Sequence, residues 1–266
     1  MMFAAAPAVL FLLAVAPQQP SIDVLFAEAQ RTSPTPARLR DQHRDWVADG
    51  ADPADDTYRE RLQAGLAADR KAAALRVDPD ALGDACLDLR LDQGCAVEQA
   101  GFLSDAPGGG RLYWQIQQGA SSEDGVGGGI VLLRADGDRL RPVLWDFEAW
   151  RYDAPERVTD EDGASLLVLR GLSRGTSGSP MDLLFRWDGT RWRQIDTGGW
   201  PDQVPALADG LTIQSGVRID YRTLRGVSPL WRLRDGGCCP TGGLAGLRFE
   251  IRDDALRLAE VDRHTP

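Results

Sequence analysis

The sequence comes nearest to a reactive arrangement at Asp146-Phe147-Glu148, which places two carboxylates on one face of a strand beside Trp145 and Trp150. Paired acids cleave glycosides when ~5–9.5 Å apart across a sugar site, and tryptophan faces stack on sugar rings. Acids on an exposed strand face are more often simply solvated, so sugar binding or glycoside hydrolysis is the rival reading. The second unusual segment is Arg234-Asp-Gly-Gly-Cys238-Cys239-Pro240-Thr241-Gly-Gly243, with Trp231 just before it. Glycines allow sharp turns and proline fixes one, which reads as a disulfide-pinned loop. A redox role needs a low-pKa thiol beside a cation, and only Arg232 and Arg234 are near. Trp145, Asp146, Glu148, Trp150, Trp231, Pro240 and Thr241 are therefore the candidate binding residues, and no residue is assigned a catalytic role.

Other constellations dissolve on inspection. Gly175-Thr-Ser177-Gly-Ser179-Pro180 resembles the stretch around the nucleophile of trypsin-like proteases. That chemistry needs a histidine base held by a buried aspartate, and the only histidines are His43, before the strand-rich region, and His264, at the C-terminus. The H-E-x-x-H pattern is absent, as is C-x-x-C spacing. No metal or cofactor is expected. Gly125-Val-Gly-Gly-Gly129 precedes the strand-like Ile130–Leu133, whereas a phosphate loop follows a strand and opens a helix; it reads as a flexible connection.

The four cysteines are Cys86, Cys95, Cys238 and Cys239. An even count in an exported chain suggests disulfides. Cys86 and Cys95 flank the strand-like alternation Leu87–Leu91, so a local bridge is one option. The other, which we favour, ties 86 and 95 to the adjacent pair, because closing long loops removes more denatured-state entropy and needs no vicinal ring. Export itself is read from Met1–Ala16, where an apolar run from Ala8 to Val15 ends in Ala14-Val-Ala16, a secretory cleavage pattern. The run is too short to span a membrane. Its leading residues lack Lys and Arg, and Pro17 follows the expected cut. A periplasmic or secreted location is expected, with no membrane span after processing.

The elements that must position these residues change character once. Ser21–Arg31 reads as a short helix. Thr35-Pro36 starts a second, with Leu39, Trp46 and Val47 on one face, His43 between them, and Gly50 as its stop. Asp52-Pro53 starts a third, with Tyr58, Leu62, Leu66 and Ala73 in a stripe. The short link predicts a helical hairpin. From about Leu82 glycine and apolar–polar alternation take over. Leu132-Leu-Arg-Ala-Asp136-Gly137-Asp-Arg-Leu-Arg-Pro-Val143 repeats as Leu184-Phe-Arg-Trp-Asp188-Gly189-Thr-Arg-Trp-Arg-Gln-Ile195. Asp-Gly between apolar runs is a hairpin signal. Ala208-Asp209-Gly210 and Asp253-Asp254 give two more turns. The fold class is α+β, β-dominant: leader 1–16, helical hairpin segment 17–80, antiparallel β-hairpin domain 81–262 and tail 263–266. A sandwich, open barrel or twisted sheet is preferred to a propeller, because only about 180 residues are available for blades.

Net charge is −10 with 43% hydrophobic residues. The chain can bury a core, and without a basic block it is no candidate for nucleic acid. Arginine is abundant and Lys71 is the single lysine, a pattern of composition rather than function. The stretch Leu39-x-x-Gln42-x-x-x-Trp46, followed by Tyr58-Arg-Glu-Arg61-Leu62, resembles the LprI-like, lysozyme-inhibitor-type helical region over about 30 residues. The cysteines that usually staple those two helices are missing from Ala51–Thr57. The resemblance implies an envelope protein and, for some relatives, lysozyme binding. The β-region is similar to exported bacterial proteins of unknown function. The expected function is a non-enzymatic binder of a basic protein such as lysozyme, drawn by acidic charge; the alternative is a cell-wall glycan-binding module or hydrolase.

Overall fold

The computed structural model describes residues 19–264 apart from 53–54, 88, 92, 105, 122–124, 175–178, 208–209, 214–215 and 237–238. The expected leader, Ser177, the Ala208-Asp209 turn and Cys238 lie outside the described residues. The architecture is α+β with strands dominant, in antiparallel sheets.

Helix α1 (Ile22–Thr32) is capped by Ser21, whose hydroxyl accepts the Val24 N–H. Helix α2 (Pro36–Ala48) starts where Thr35-Pro36 places it, although Thr35 makes no side-chain cap bond. Helix α3 (Asp56–Ala74) starts later than Asp52-Pro53, because Asp55 is the cap and accepts the Tyr58 N–H at 3.1 Å. Ile22, Leu25 and Ala29 of α1 bury against Tyr58, Leu62 and Leu66 of α3. Past Leu66 the buried positions are Ala68 and Ala72 rather than Ala73, because a different face of α3 is covered there: Ala72 packs with Val77, Val131 and Leu133 of the first sheet's side, not with α1. α3 packs along α1 rather than along α2; at the α2–α3 corner Trp46 stacks on Tyr58 at 4.8 Å and its indole N–H donates to Asp55 at 2.9 Å. Val47, expected on the buried face, is exposed. α2 closes on its sister helices through Leu39 and Trp46 and on the sheets through Ala37 and Arg38, and Val47 faces neither.

Three four-stranded meanders follow. The first joins β1 (Gln93–Leu103), β2 (Leu112–Ser121), β3 (Gly125–Asp136) and β4 (Arg139–Asp146). A short ribbon pairs β5 (Arg151–Tyr152) with β8 (Gly171–Leu172). The second joins β6 (Glu156–Thr159), β7 (Ser165–Leu169), β9 (Leu183–Trp187) and β10 (Trp192–Ile195). The third joins β11 (Arg218–Asp220), β12 (Arg225–Pro229), β13 (Leu244–Arg252) and β14 (Ala255–His264). Each sheet is a sequential antiparallel meander like one blade of a propeller.

The sheets stack three deep. In β7, Leu167 and Leu169 pack toward the first sheet, while Leu166 and Val168 pack toward the third. A strand covered on both faces reads as one apolar run, and Ser165-Leu-Leu-Val-Leu169 does. β3 follows the same logic. Ile130 and Leu132 face the middle sheet, and Val131 and Leu133 face Ala72, Val77 and Leu89 on the helical side. The internal repeat falls on one structural unit. Leu132–Val143 and Leu184–Ile195 hold the last hairpin of the first and second sheets, and Asp253-Asp254 turns the last hairpin of the third. Positive φ occurs where turn chemistry asks for it, at Gly137, Gly189, Asp253 and Asp254.

Cys86 and Cys95 bond to each other, with Cα atoms 6.1 Å apart. This corrects the favoured cross-tie to the 238–239 pair: the entropy argument ranks long loops first, but the 86–95 segment doubles back and brings its own ends within reach. Leu87, Leu89 and Leu91 are buried, yet the segment is an irregular loop and not a strand. Its backbone is satisfied by the buried Gln115 of β2, which accepts the Leu87 N–H at 3.2 Å and donates to the Ala85 carbonyl at 3.0 Å. Cys239 is also disulfide-bonded.

Candidate functional site

Asp146 and Glu148 do not form an open acid pair. β4 carries an extra residue at Val143 opposite Leu132/Leu133, a bulge that resets which side chains face inward. Asp146 is buried at the end of β4, paired with Arg38 of α2 and hydrogen-bonded by the Tyr152 hydroxyl. Arg38 also donates to the Met181 carbonyl at 2.6 Å. Burial opposes charge on Arg38, but Asp146, Tyr152 and Glu148 together outweigh it and hold its pKa above the ordinary value. Glu148 accepts from Gln42 at 2.8 Å and pairs with Arg90 at 3.0 Å. Both acids thus dock helix and loop onto the first sheet. Sequence reasoning missed Arg38, Gln42, Arg90 and Tyr152; the spacing of Arg38 and Gln42, one turn apart on a helix, is the signal that was there to find.

The remaining sequence candidates scatter. The Trp145 indole donates to Asp69 at 3.2 Å, under α3. Trp150 is exposed, and Trp231 is buried beside Thr212. Pro240 and the exposed Thr241 sit on a loop organised by Asp235, which accepts the Arg232 N–H (2.7 Å), the Thr241 N–H (2.8 Å) and the Thr241 hydroxyl (2.7 Å). Those bonds hold the Asp235 carboxyl below its usual range, the Arg232 N–H contributing most. Gly125–Gly129 is corrected too. It is the first part of β3, not a flexible connection; a Cβ on Gly129 would fall 2.3 Å from the Phe147 ring, and one on Gly128 would fall 2.8 Å from the Trp150 carbonyl.

What the structure does bring together is a cleft of about 770 Å³, where the α1–α2 joint meets the last hairpins of all three sheets. Leu112, Leu132, Leu144 and Leu167 contribute its apolar lining, and Trp187 and Trp192, in T-shaped contact at 5.5 Å, line one side. Seven arginines and three aspartates line it, and seven against three leaves four surplus positive charges on a chain whose net charge is −10. Arg134 lies over the Trp187 ring at 5.0 Å and donates to the Pro107 carbonyl. Burial, then the neighbouring Arg141, lower its pKa.

No family model and no curated protein matches the chain.

The cleft therefore stands on its geometry. Both of its tryptophans and four of its seven arginines, Arg134, Arg141, Arg191 and Arg193, come from the internal repeat, whose sequence signals a hairpin and not a site. Only the stacking of consecutive sheets places equivalent hairpins side by side, so the charge surplus appears in three dimensions and not along the chain. Among the described residues no group of three or more His, Cys, Asp or Glu is placed to hold a metal ion, and no helix is long and apolar enough to cross a membrane.

Proposed function

We propose that this chain is an exported cell-envelope protein that binds its ligand, without transforming it, in the arginine- and tryptophan-lined cleft. The observation that carries the reading is the cleft's local positive surplus within an acidic protein, beside tryptophan rings fit to stack on a sugar or other planar ligand. Export rests on the Met1–Ala16 leader and fits the Cys86–Cys95 disulfide. A cell-wall glycan with acidic substituents matches this chemistry. The purified protein should sediment with peptidoglycan, and Trp187→Ala should release it, whereas Trp150→Ala, away from the cleft, should not. Failure of the wild-type chain to sediment would end this reading.

A second reading follows the acidic corner between α2 and α3. Asp45, Asp49, Asp56 and Glu60 are exposed there, in the segment that resembles LprI-like helices. A basic protein such as lysozyme suits that surface. The chain should then slow wall lysis by lysozyme at low salt; unchanged lysis at a large molar excess would remove it.

A further inference from the structure

The internal repeat carries its own control experiment. Arg134 and Arg141 face each other across β3 and β4, and their equivalents Arg186 and Arg193 face each other across β9 and β10. Like charges directly opposite in an antiparallel pair repel, so each pair calls for an anion. In the second sheet that anion is Asp254, from the turn of the third sheet's last hairpin, at 2.7 Å from Arg186 and 2.5 Å from Arg193. One carboxylate bridges both guanidiniums. In the first sheet the corresponding neighbour is the second sheet's last hairpin, which lays Trp187 of β9 against Arg134, while its turn acid, Asp188, is taken up by the Thr190 and Arg191 N–H groups and the Arg191 guanidinium. Neither Arg134 nor Arg141 has a carboxylate partner among the described residues. Both line the cleft.

We infer that Arg134 and Arg141 form the anion-binding end of the cleft, taking a carboxylate of the ligand in the role that Asp254 plays for Arg186 and Arg193. The inference rests on the cleft being the binding site and adds the chemical class of what enters it: a carboxylated ligand, with Trp187 positioned beside the charge for its ring. Two guanidiniums on one carboxylate give charge-assisted bonds that a neutral sugar cannot. Arg141 is exposed and free to close on the ligand, while Arg134 is fixed by Trp187 and Pro107.

Titration of the full chain with D-glucuronate, inorganic phosphate and D-glucose, read by tryptophan fluorescence and calorimetry, tests this. Glucuronate should bind saturably and more tightly than phosphate, and glucose should not bind. Arg141→Ala should weaken glucuronate roughly tenfold, and Arg248→Ala, outside the cleft and paired with Glu260, should change it less than about twofold. Arg134→Gln, which removes the charge but keeps a polar amide, should act like Arg141→Ala. Absence of a saturable glucuronate signal, tighter binding of phosphate, or indifference to Arg141→Ala each overturns the assignment. Peptidoglycan sedimentation that still depends on Trp187 but not on Arg141 would overturn the arginine pair alone and leave the cleft reading intact.

Discussion

Arg38 of α2 ends on the carboxylate of Asp146 in β4, and both side chains are withdrawn from water. This pair fastens the helical segment to the sheets, because the same guanidinium also holds the Met181 carbonyl before β9. Removing one partner of a buried pair strands the other charge, at a cost of about 3–5 kcal/mol. Arg38→Ala should lose stability of that size in urea denaturation. The double variant Arg38→Met/Asp146→Leu should recover a large part of the loss, since the buried charge is then gone. A single variant within about 1 kcal/mol of wild type would show that the pair is dispensable.

Closing the short loop between Cys86 and Cys95 removes about 2.7 kcal/mol of denatured-state freedom on the chain-entropy model. The double variant Cys86→Ala/Cys95→Ala should be less stable by ~2–3 kcal/mol under non-reducing conditions. Non-reducing peptide mapping should return 86 and 95 in one linked species, and linkage of either to 239 would refute the pairing.

Acidification should act in two opposite stages. Burial pushes the Asp41, Asp69 and Asp182 carboxyls above their ordinary value of 3.8. As pH falls toward 3.8 the folded chain takes up these protons before the unfolded one, so stability rises. Asp188 is held down to about 2, chiefly by the Arg191 N–H. Between 3.8 and 2 the unfolded chain is the better proton acceptor at this site, and stability falls. Denaturant midpoints against pH should therefore pass through a maximum on the acid side of neutrality. Asp41→Asn should flatten the upper limb and Asp188→Asn the lower one; a profile unchanged by either would contradict the assignment.

Asp253 and Asp254 share a left-handed backbone at φ 51° and 54°, yet glycine should suit only one of them. At Asp253 it relieves the strained φ and loosens the unfolded chain by similar amounts, so Asp253→Gly should stay within ~0.5 kcal/mol of wild type. At Asp254 the same change strips the anion from Arg186 and Arg193 and should cost about 1 kcal/mol or more. Thermal unfolding of the two variants side by side decides it.

Local signals were legible in the sequence. The Asp136-Gly137, Asp188-Gly189 and Asp253-Asp254 turns, the Thr35-Pro36 helix start and the Leu62/Leu66 stripe depend on near neighbours and lie where the residues place them. Contacts between distant segments were not legible. Nothing near Asp146 in sequence announces Arg38, and nothing near Arg186 announces Asp254, because both partners are set by how whole sheets stack. The Gly125–Gly129 run misled for a related reason: Gly128 and Gly129 answer to the Trp150 backbone and the Phe147 ring laid against β3, not to any need for freedom.

β7 leaves one consequence for how the molecule comes into being. Its Leu166 and Val168 belong to a core that is completed only when Ile219, Leu247 and Phe249 join Trp200 and Leu211 from the far end of the polypeptide. A ribosome-stalled or proteolysed product ending before β11 would present that incomplete core to its surroundings and clump. Nor should the stack melt sheet by sheet: peeling away the C-terminal layer uncovers the middle one, so scanning calorimetry should trace one transition rather than three.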